Sequence, residues 1–276
     1  MSATLFIVAT PIGNLSDITL RALETLRSVA VIACEDTRHA RRLLDHYGIR
    51  TPLLALYEHN ERQATERLIA LLGEGKDVAL ISDAGTPAVS DPGALAVAAV
   101  HAAGFRVSPI PGANAAIAAL SAAGFEGPFC FVGFLPTKVG ARRTALRQLK
   151  MLPVNLVFYE APHRIVETVA DLASLLEPER EIVIARELTK LFEEIVRLPL
   201  LAAPAWLAAD ENRRRGEFVL LVSGPPSCQG LDAESERILE LLLTELPVKT
   251  AAKLAAEITG KSKNELYARA LEMKGG

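Results

Sequence analysis

Two Ser-Asp pairs, Ser82-Asp83 and Ser90-Asp91, bracket Ala84-Gly85-Thr86-Pro87-Ala88-Val89, and Pro92-Gly93 closes the run. Small, acidic and turn-forming residues at that density let a loop bring backbone amides and carbonyls against a ligand. Asp83 could meet a cation or hydroxyl groups there. The segment Pro109-Ile110-Pro111-Gly112-Ala113-Asn114-Ala115-Ala116 carries no bulky polar group, so it permits close approach at a helix amino end. Phe158-Tyr159-Glu160-Ala161-Pro162-His163-Arg164 gathers Glu160, His163 and Arg164, with Pro162 suited to a first helical turn. Cys34-Glu35-Asp36-Thr37-Arg38 offers two further carboxylates, and Tyr57-Glu58-His59 another. Arg38 and Arg42 share a helix face at i,i+4 spacing, either to contact phosphates or to pair with Asp45.

These segments fall at the ends of short apolar runs. Residues 4–9, 29–34, 53–56, 78–82 and 106–109 read as strands, separated by helical stretches at 17–28, 38–47, 61–72 and 93–103. Continuous Val/Ile/Leu strands alternating with helices predict a parallel sheet buried on both faces. The loop at 9–19 leaves the first strand, where open α/β sheets place ligands. It has one glycine, so it lacks the G-x-G-x-x-G spacing that brings backbone against a dinucleotide pyrophosphate. An Ala-rich helix at 114–123 and a turn-rich stretch at 124–128 suggest a domain junction. A second set of strands follows at 129–134, 155–159, 181–186, 192–196 and 218–222, with helices at 141–151 and 163–176. Several of these strands are too close for helical crossovers, so the second sheet should be mixed. Beyond Gly224-Pro225-Pro226 the chain reads as helical. The expected fold class is α/β, with domains at 1–123 and 124–226 and a helical extension at 227–276.

The chain has 276 residues, 30 Lys/Arg against 33 Asp/Glu, and a formal net charge of -3. That balance excludes a general basic coat but not a local patch. Residues 138–164 hold six basic residues and one acid, and the tail from Pro247 holds six Lys/Arg against three Glu. Aromatics are 5% of the chain, too few for a broad base-stacking surface. Cys34, Cys130 and Cys228 lie far apart and form no C-x-x-C pair, so no metal site or disulfide framework is expected. No basic leader precedes an apolar segment, and no apolar run approaches a membrane span. The protein is expected in the cytoplasm.

Taken together, V-A-T-P-I-G-N-L-x-D-I-T, C-E-D-T-R, S-D-A-G-T-P-x-x-S-D-P-G, P-G-A-N-A and F-Y-E-A-P-H-R resemble the tetrapyrrole methylase superfamily of S-adenosylmethionine-dependent methyltransferases. The pattern is most similar to the branch that 2'-O-methylates a cytidine in the decoding region of bacterial 16S rRNA. The resemblance runs in order from about Leu5 to Val222. It implies two α/β domains with S-adenosyl-L-methionine bound between them, usually in a homodimer. It places the cofactor against Pro11, Ile12, Asp83, Thr86, Asn114 and Ala115, and from the second domain against Tyr159, Ala185 and Glu217.

A ribose hydroxyl is a poor nucleophile while protonated, so a nearby base would help. Glu35, Asp36, Glu58 and Glu160 are the candidates. The expected partner is 16S rRNA or the small ribosomal subunit, with no membrane. Arg38, Arg42 and Arg164 would orient phosphates, and Arg142, Arg143, Arg147, Lys261 and Lys263 would extend the RNA-binding face, together with the triplet Arg213-Arg214-Arg215. The tail reads helix, Gly260, helix, compatible with a helix-turn-helix module or with a hairpin that only packs. Two other functions fit the same residues: methylation of a corrin or porphyrin precursor, and a non-catalytic ribosome-associated module.

Overall fold

The computed structural model describes residues 3–57, 59–225 and 233–275. The chain forms two compact units, Met1–Gly224 and Pro225–Gly276.

The first unit holds two five-stranded sheets. In the first, β1 (Thr4–Val8), β2 (Val31–Cys34), β3 (Leu53–Ala55), β4 (Val78–Ile81) and β5 (Arg106–Ile110) run in the order β3-β2-β4-β1-β5. Every pairing is parallel. A strand covered on both faces has no polar side to show, and β4 is buried at every position. The covering helices are α1 (Leu20–Ser28), α2 (Thr37–His46), α3 (Glu61–Gly73) and α4 (Ala94–Ala102). One face packs Leu26, Ile32, Leu44 and Ile49, and the other packs Leu5, Leu68, Leu72 and Val100. Each such side chain contributes ~1.5–3 kcal/mol on burial.

The helix expected over 17–28 begins later than its pattern suggests. Leu15–Asp17 forms a single 3-10 turn capped by Asn14, and Thr19 then caps α1 by accepting from the Ala22 amide. Each helix start consumes a side-chain oxygen, so the loop from Ala9 to Thr19 is punctuated twice.

α5 (Ala115–Ala123) follows the first sheet in sequence but packs on the second. Its Ala116, Ala119 and Ala123 lie against Val157, Val183, Val219 and Leu221. That crossing sets the amino end of α5 between the two sheets. The second sheet comprises β6 (Phe129–Phe134), β7 (Asn155–Glu160), β8 (Glu181–Arg186), β9 (Glu194–Pro199) and β10 (Phe218–Val222), in the order β6-β7-β10-β8-β9. Only β6 and β7 are parallel; the other pairs are antiparallel. Its far face is covered by α6 (Val139–Lys150), α7 (Ile165–Leu175) and α8 (Ala203–Ala208), around Leu146, Phe158, Val169, Ile184 and Leu220. β9 starts later than the apolar run at 192–196 suggests. The preceding turn absorbs Leu191 and Phe192, with Glu187 and Thr189 at φ of 51° and 64°.

Several arginines expected to contact RNA have partners within the protein. Arg142 is 2% exposed; its Nε donates to Asp171 Oδ2 at 2.7 Å and its Nη2 to Glu167 at 3.2 Å. It fastens α6 to α7 and cannot reach a phosphate. Arg143 is half-exposed but shares the same carboxylate at 2.8 Å. Arg213 stacks on Trp206 and bonds its carbonyl, while Arg214 bonds the carbonyls of Leu207 and Ala208 at the end of α8. Arg147 is exposed on α6.

The second unit is α9 (Ala233–Glu245), α10 (Val248–Thr259) and α11 (Lys263–Gly275) around Leu239, Ala251, Ala255, Leu266 and Ala270. Gly260 ends α10 in the left-handed conformation, φ 70°, that a side chain would disfavour. Lys263 is exposed at the start of α11, and Lys261 is partly buried. No helix among the described residues is long and apolar enough to cross a membrane.

Candidate active site

In the first sheet, the crossovers after β1 and β4 depart toward opposite edges, which opens a crevice above their carboxyl ends. Two loops meet there. The Thr10 amide donates to the Gly85 carbonyl at 2.8 Å and the Gly85 amide returns a bond to Thr10 at 3.0 Å. The Thr10 hydroxyl donates to Ser82 O at 3.1 Å. The loop after β1 is thereby zipped to the loop after β4, and Ile12 lies over Gly85.

The second sheet faces this pair across a cavity of about 370 Å³, a size suited to a small organic ligand. Ile12, Gly85, Thr86, Val89, Asn114 and Ala115 line one side, and Phe134, Tyr159, Leu188, Glu217 and Val219 the other. The polar wall is mostly committed. Thr86 donates its hydroxyl to Ala113 O at 3.1 Å. Asn114 caps α5 by accepting from the Ile117 amide. The Tyr159 hydroxyl accepts from the Ala116 amide at 3.2 Å, with its ring edge-on to Phe131 and Phe134. Burial pushes the Tyr159 phenol above its ordinary range, and Asp91 adds to that.

The loop between β8 and β9 closes one end. Lys190 bonds Glu187 at 2.9 Å and Glu217 at 2.7 Å, and Glu193 accepts from the Thr189 amide. It rests on Gly13. A Cβ there would lie 2.5 Å from Lys190 Cγ and 3.1 Å from Leu188 O, so the close approach requires glycine.

The structure therefore brings Ile12, Thr86, Asn114, Ala115, Tyr159 and Glu217 into one cavity wall. Pro11, Asp83 and Ala185 are absent from the lining. Asp83 turns toward β2, where its Oδ1 accepts from the Asp36 amide at 3.2 Å. Ala185 is fully buried in the core beneath the cavity, because its side chain points into the layer shared with α5. Ser90, Asp91, Phe134 and Leu188 line the cavity without having been expected. The repeated Ser-Asp pair was the signal available for the first two.

Among the candidate bases, Glu160 lines the cavity but is committed to partners within the protein. Its side chain is 0% exposed, accepts from the Ala161 amide and the Thr168 hydroxyl, and is ion-paired with Arg164. Arg164 is drawn inward by the same contact and donates to Leu135 O at 2.7 Å, so it shapes the loop after β6 instead of holding a phosphate. Asp36 caps α2 and grips Arg38; the Arg38 side chain and amide hold its carboxyl at about 2. Glu35 differs. Burial pushes its carboxyl up, and Asp83, Asp91 and Asp36 add to the shift. Glu58 lies outside the described residues. Arg38 and Arg42 line a separate exposed hollow with Asp36 and His39. No group of His, Cys, Asp and Glu suited to a metal ion occurs among the described residues.

Comparisons with known proteins place this pair of sheets in one methyltransferase class. Residues 4–204 match the family Tetrapyrrole (Corrin/Porphyrin) Methylases, and residues 229–274 match the RsmI C-terminal HTH domain. Ribosomal RNA small subunit methyltransferase I of Pseudomonas aeruginosa is 55% identical over 280 residues, spanning 100% of this chain and 99% of that protein. The protein of the same name from Escherichia coli O157:H7 is 52% identical, spanning 98% of this chain and 96% of its own. A uroporphyrin-III C-methyltransferase of Thermus thermophilus, solved in complex with S-adenosylhomocysteine, shares the fold: TM-score 0.54 at 19% identity over 79% of this chain and 96% of its own. The chain belongs to the tetrapyrrole methylase family, within its ribosomal RNA small subunit methyltransferase I branch.

Proposed function

We propose that the protein transfers a methyl group from S-adenosyl-L-methionine to the ribose 2'-oxygen of a cytidine in the decoding region of 16S rRNA. The observation that carries this reading is full-length identity of 55% to a small-subunit rRNA methyltransferase, joined to a cavity between the two sheets. The donor fits the residues present. Ile12, Val219 and the Tyr159–Phe134 edge offer apolar contact, and the loops at Gly85 and Ala115 bring small residues and polypeptide backbone to the cavity wall.

The donor supplies an activated methyl group whose leaving group is a neutral thioether. The chain's own task is alignment of the two substrates and removal of a proton. Exposed Arg38 and Arg42, beside the end of β2, are suited to hold RNA phosphates near the cavity. Arg147 and Lys263 remain candidates for more distant phosphates, and the helical unit for the ribosomal partner. The acceptor is naked 16S rRNA or the small subunit, and the reading puts the enzyme in the cytoplasm as a homodimer.

The test pairs purified protein with labelled donor and either small ribosomal subunits or tetrapyrrole precursors. Label on the ribose of 16S rRNA supports the proposal; label only on the tetrapyrrole refutes it.

A further inference from the structure

Three carboxylates line the cavity, and two of them are spent. Glu160 accepts from two donors and is ion-paired with Arg164, and Glu217 is paired with Lys190. Asp91 lines the same cavity and makes no ion pair among the described residues, while the nearby Ser82 hydroxyl donates to the carbonyls of Ala84 and Gly85. Its position is built at some cost. The turn before it holds Ala88 and Ser90 at φ of 64° and 67°, where side chains are disfavoured. Each end of that turn is fixed. Buried Glu61 accepts from the Gly93 amide at 3.1 Å and the Ala96 amide at 3.4 Å, tying the start of α4 to α3. Ser90 packs on the bulge of β6 at Gly133, where a Cβ would lie 3.0 Å from the Ser90 hydroxyl. Held on one side by α3 and on the other by β6, Asp91 lines the cavity between the two sheets.

We propose that Asp91 is the catalytic residue that accepts the proton of the attacking ribose hydroxyl, an inference that rests on the methyl-transfer reading above. As the bond forms between the 2'-oxygen and the methyl carbon, the carbon–sulfur bond of the sulfonium donor breaks. Its electron pair stays on sulfur as the neutral thioether. The hydroxyl proton passes to an Asp91 carboxylate oxygen and is later lost to water. Burial raises the Asp91 carboxyl above its ordinary value and Asp83 adds to this, which strengthens it as a base. The charged or titratable groups around it are Asp83 from the end of β4, Glu35 from the end of β2 and Tyr159 from β7.

The experiment compares the full-length wild type, Asp91→Asn and Asp91→Glu. It measures single-turnover methyl transfer to small subunits at saturating S-adenosylmethionine across pH 5–9, and S-adenosylhomocysteine affinity by calorimetry. Asp91→Asn should lose ~10²-fold or more in rate with product affinity within about threefold of wild type. Asp91→Glu should recover part of the rate. The acid limb of the wild-type profile should fall at a pH above the ordinary carboxylate value, and it should vanish in Asp91→Asn. An Asn variant within about threefold of the wild-type rate overturns the assignment. So does a rate loss matched by lost product affinity, which would make Asp91 a donor-holding group. A wild type that binds the product but methylates no ribose has a different signature and overturns the underlying reading together with this one.

Discussion

Replacing Asp171 by alanine removes the one buried partner of a buried guanidinium. Arg142 is 2% exposed, and its remaining partner, Glu167, has a side chain that is 66% exposed. A charge left in that state costs ~3–5 kcal/mol, a large share of the ~5–15 kcal/mol that holds a domain together. Glu167→Ala removes only the solvated partner and should cost ~0–1 kcal/mol. Trp206, the single tryptophan, lies in the same packed layer, so its fluorescence reports unfolding of this unit. In urea the Asp171→Ala midpoint should fall by ~1–2 M, given a slope of ~2–3 kcal/mol/M. Arg142→Ala should leave the salt dependence of rRNA affinity unchanged, whereas a lost phosphate contact would reduce its slope by ~1. Equal midpoints for Asp171→Ala and Glu167→Ala, or a reduced salt slope in Arg142→Ala, would refute the structural role.

Gly13→Ala should displace the β8–β9 loop, since the added carbon would sit 2.5 Å from Lys190 Cγ. The overpacking penalty of ~1–3 kcal/mol should appear as weaker S-adenosylhomocysteine binding in calorimetry, and unchanged affinity would show that the loop does not close the cavity. Burial, with Asp83 and Asp36, pushes the Cys34 thiol up to about 12, so it should resist iodoacetamide at pH 8 while the more accessible Cys130 reacts. Peptide mass mapping that finds both alkylated at one rate would contradict this. Burial opposes ionisation of Asp171 and Glu177, but their hydrogen bonds outweigh it and hold both carboxyls below the ordinary range. Their stabilisation is therefore complete above the unfolded value of ~4 and is lost as pH falls through the lower folded values. Asp91 and Glu35 shift upward, so acid relieves a cost at those sites. Urea midpoints between pH 7 and pH 3 should fall in wild type and fall less in Asp171→Asn.

The strands were legible because burial on both faces leaves unbroken apolar runs, as in Val78–Ile81. The loops that meet at the cavity were legible because parallel strands deliver their carboxyl ends to one side of the sheet. What each side chain does there depends on partners distant in sequence. Glu160 looks like a base until Thr168 and Arg164 fold back onto it. Arg142 and Arg147 are both basic residues of α6, but Arg142 shares the inward face with Leu146 and meets Asp171 on another helix. Asp83 and Asp91 follow identical serines, but Asp91, next to the left-handed residue Ser90, lines the cavity, whereas Asp83 accepts from the Asp36 amide beside β2. No local pattern encodes that difference. The arginine triplet reads as one patch in the sequence, but two of its members bond the end of α8.

The most direct measurement is a map of ribose 2'-O-methylation along 16S rRNA from cells with and without this protein, read by resistance of each nucleotide to alkaline cleavage. One cytidine in the decoding region should be protected with the protein, become cleavable without it, and be protected again when the wild-type chain is restored. An unchanged map, or a modification lost on a base instead of a ribose, would contradict this.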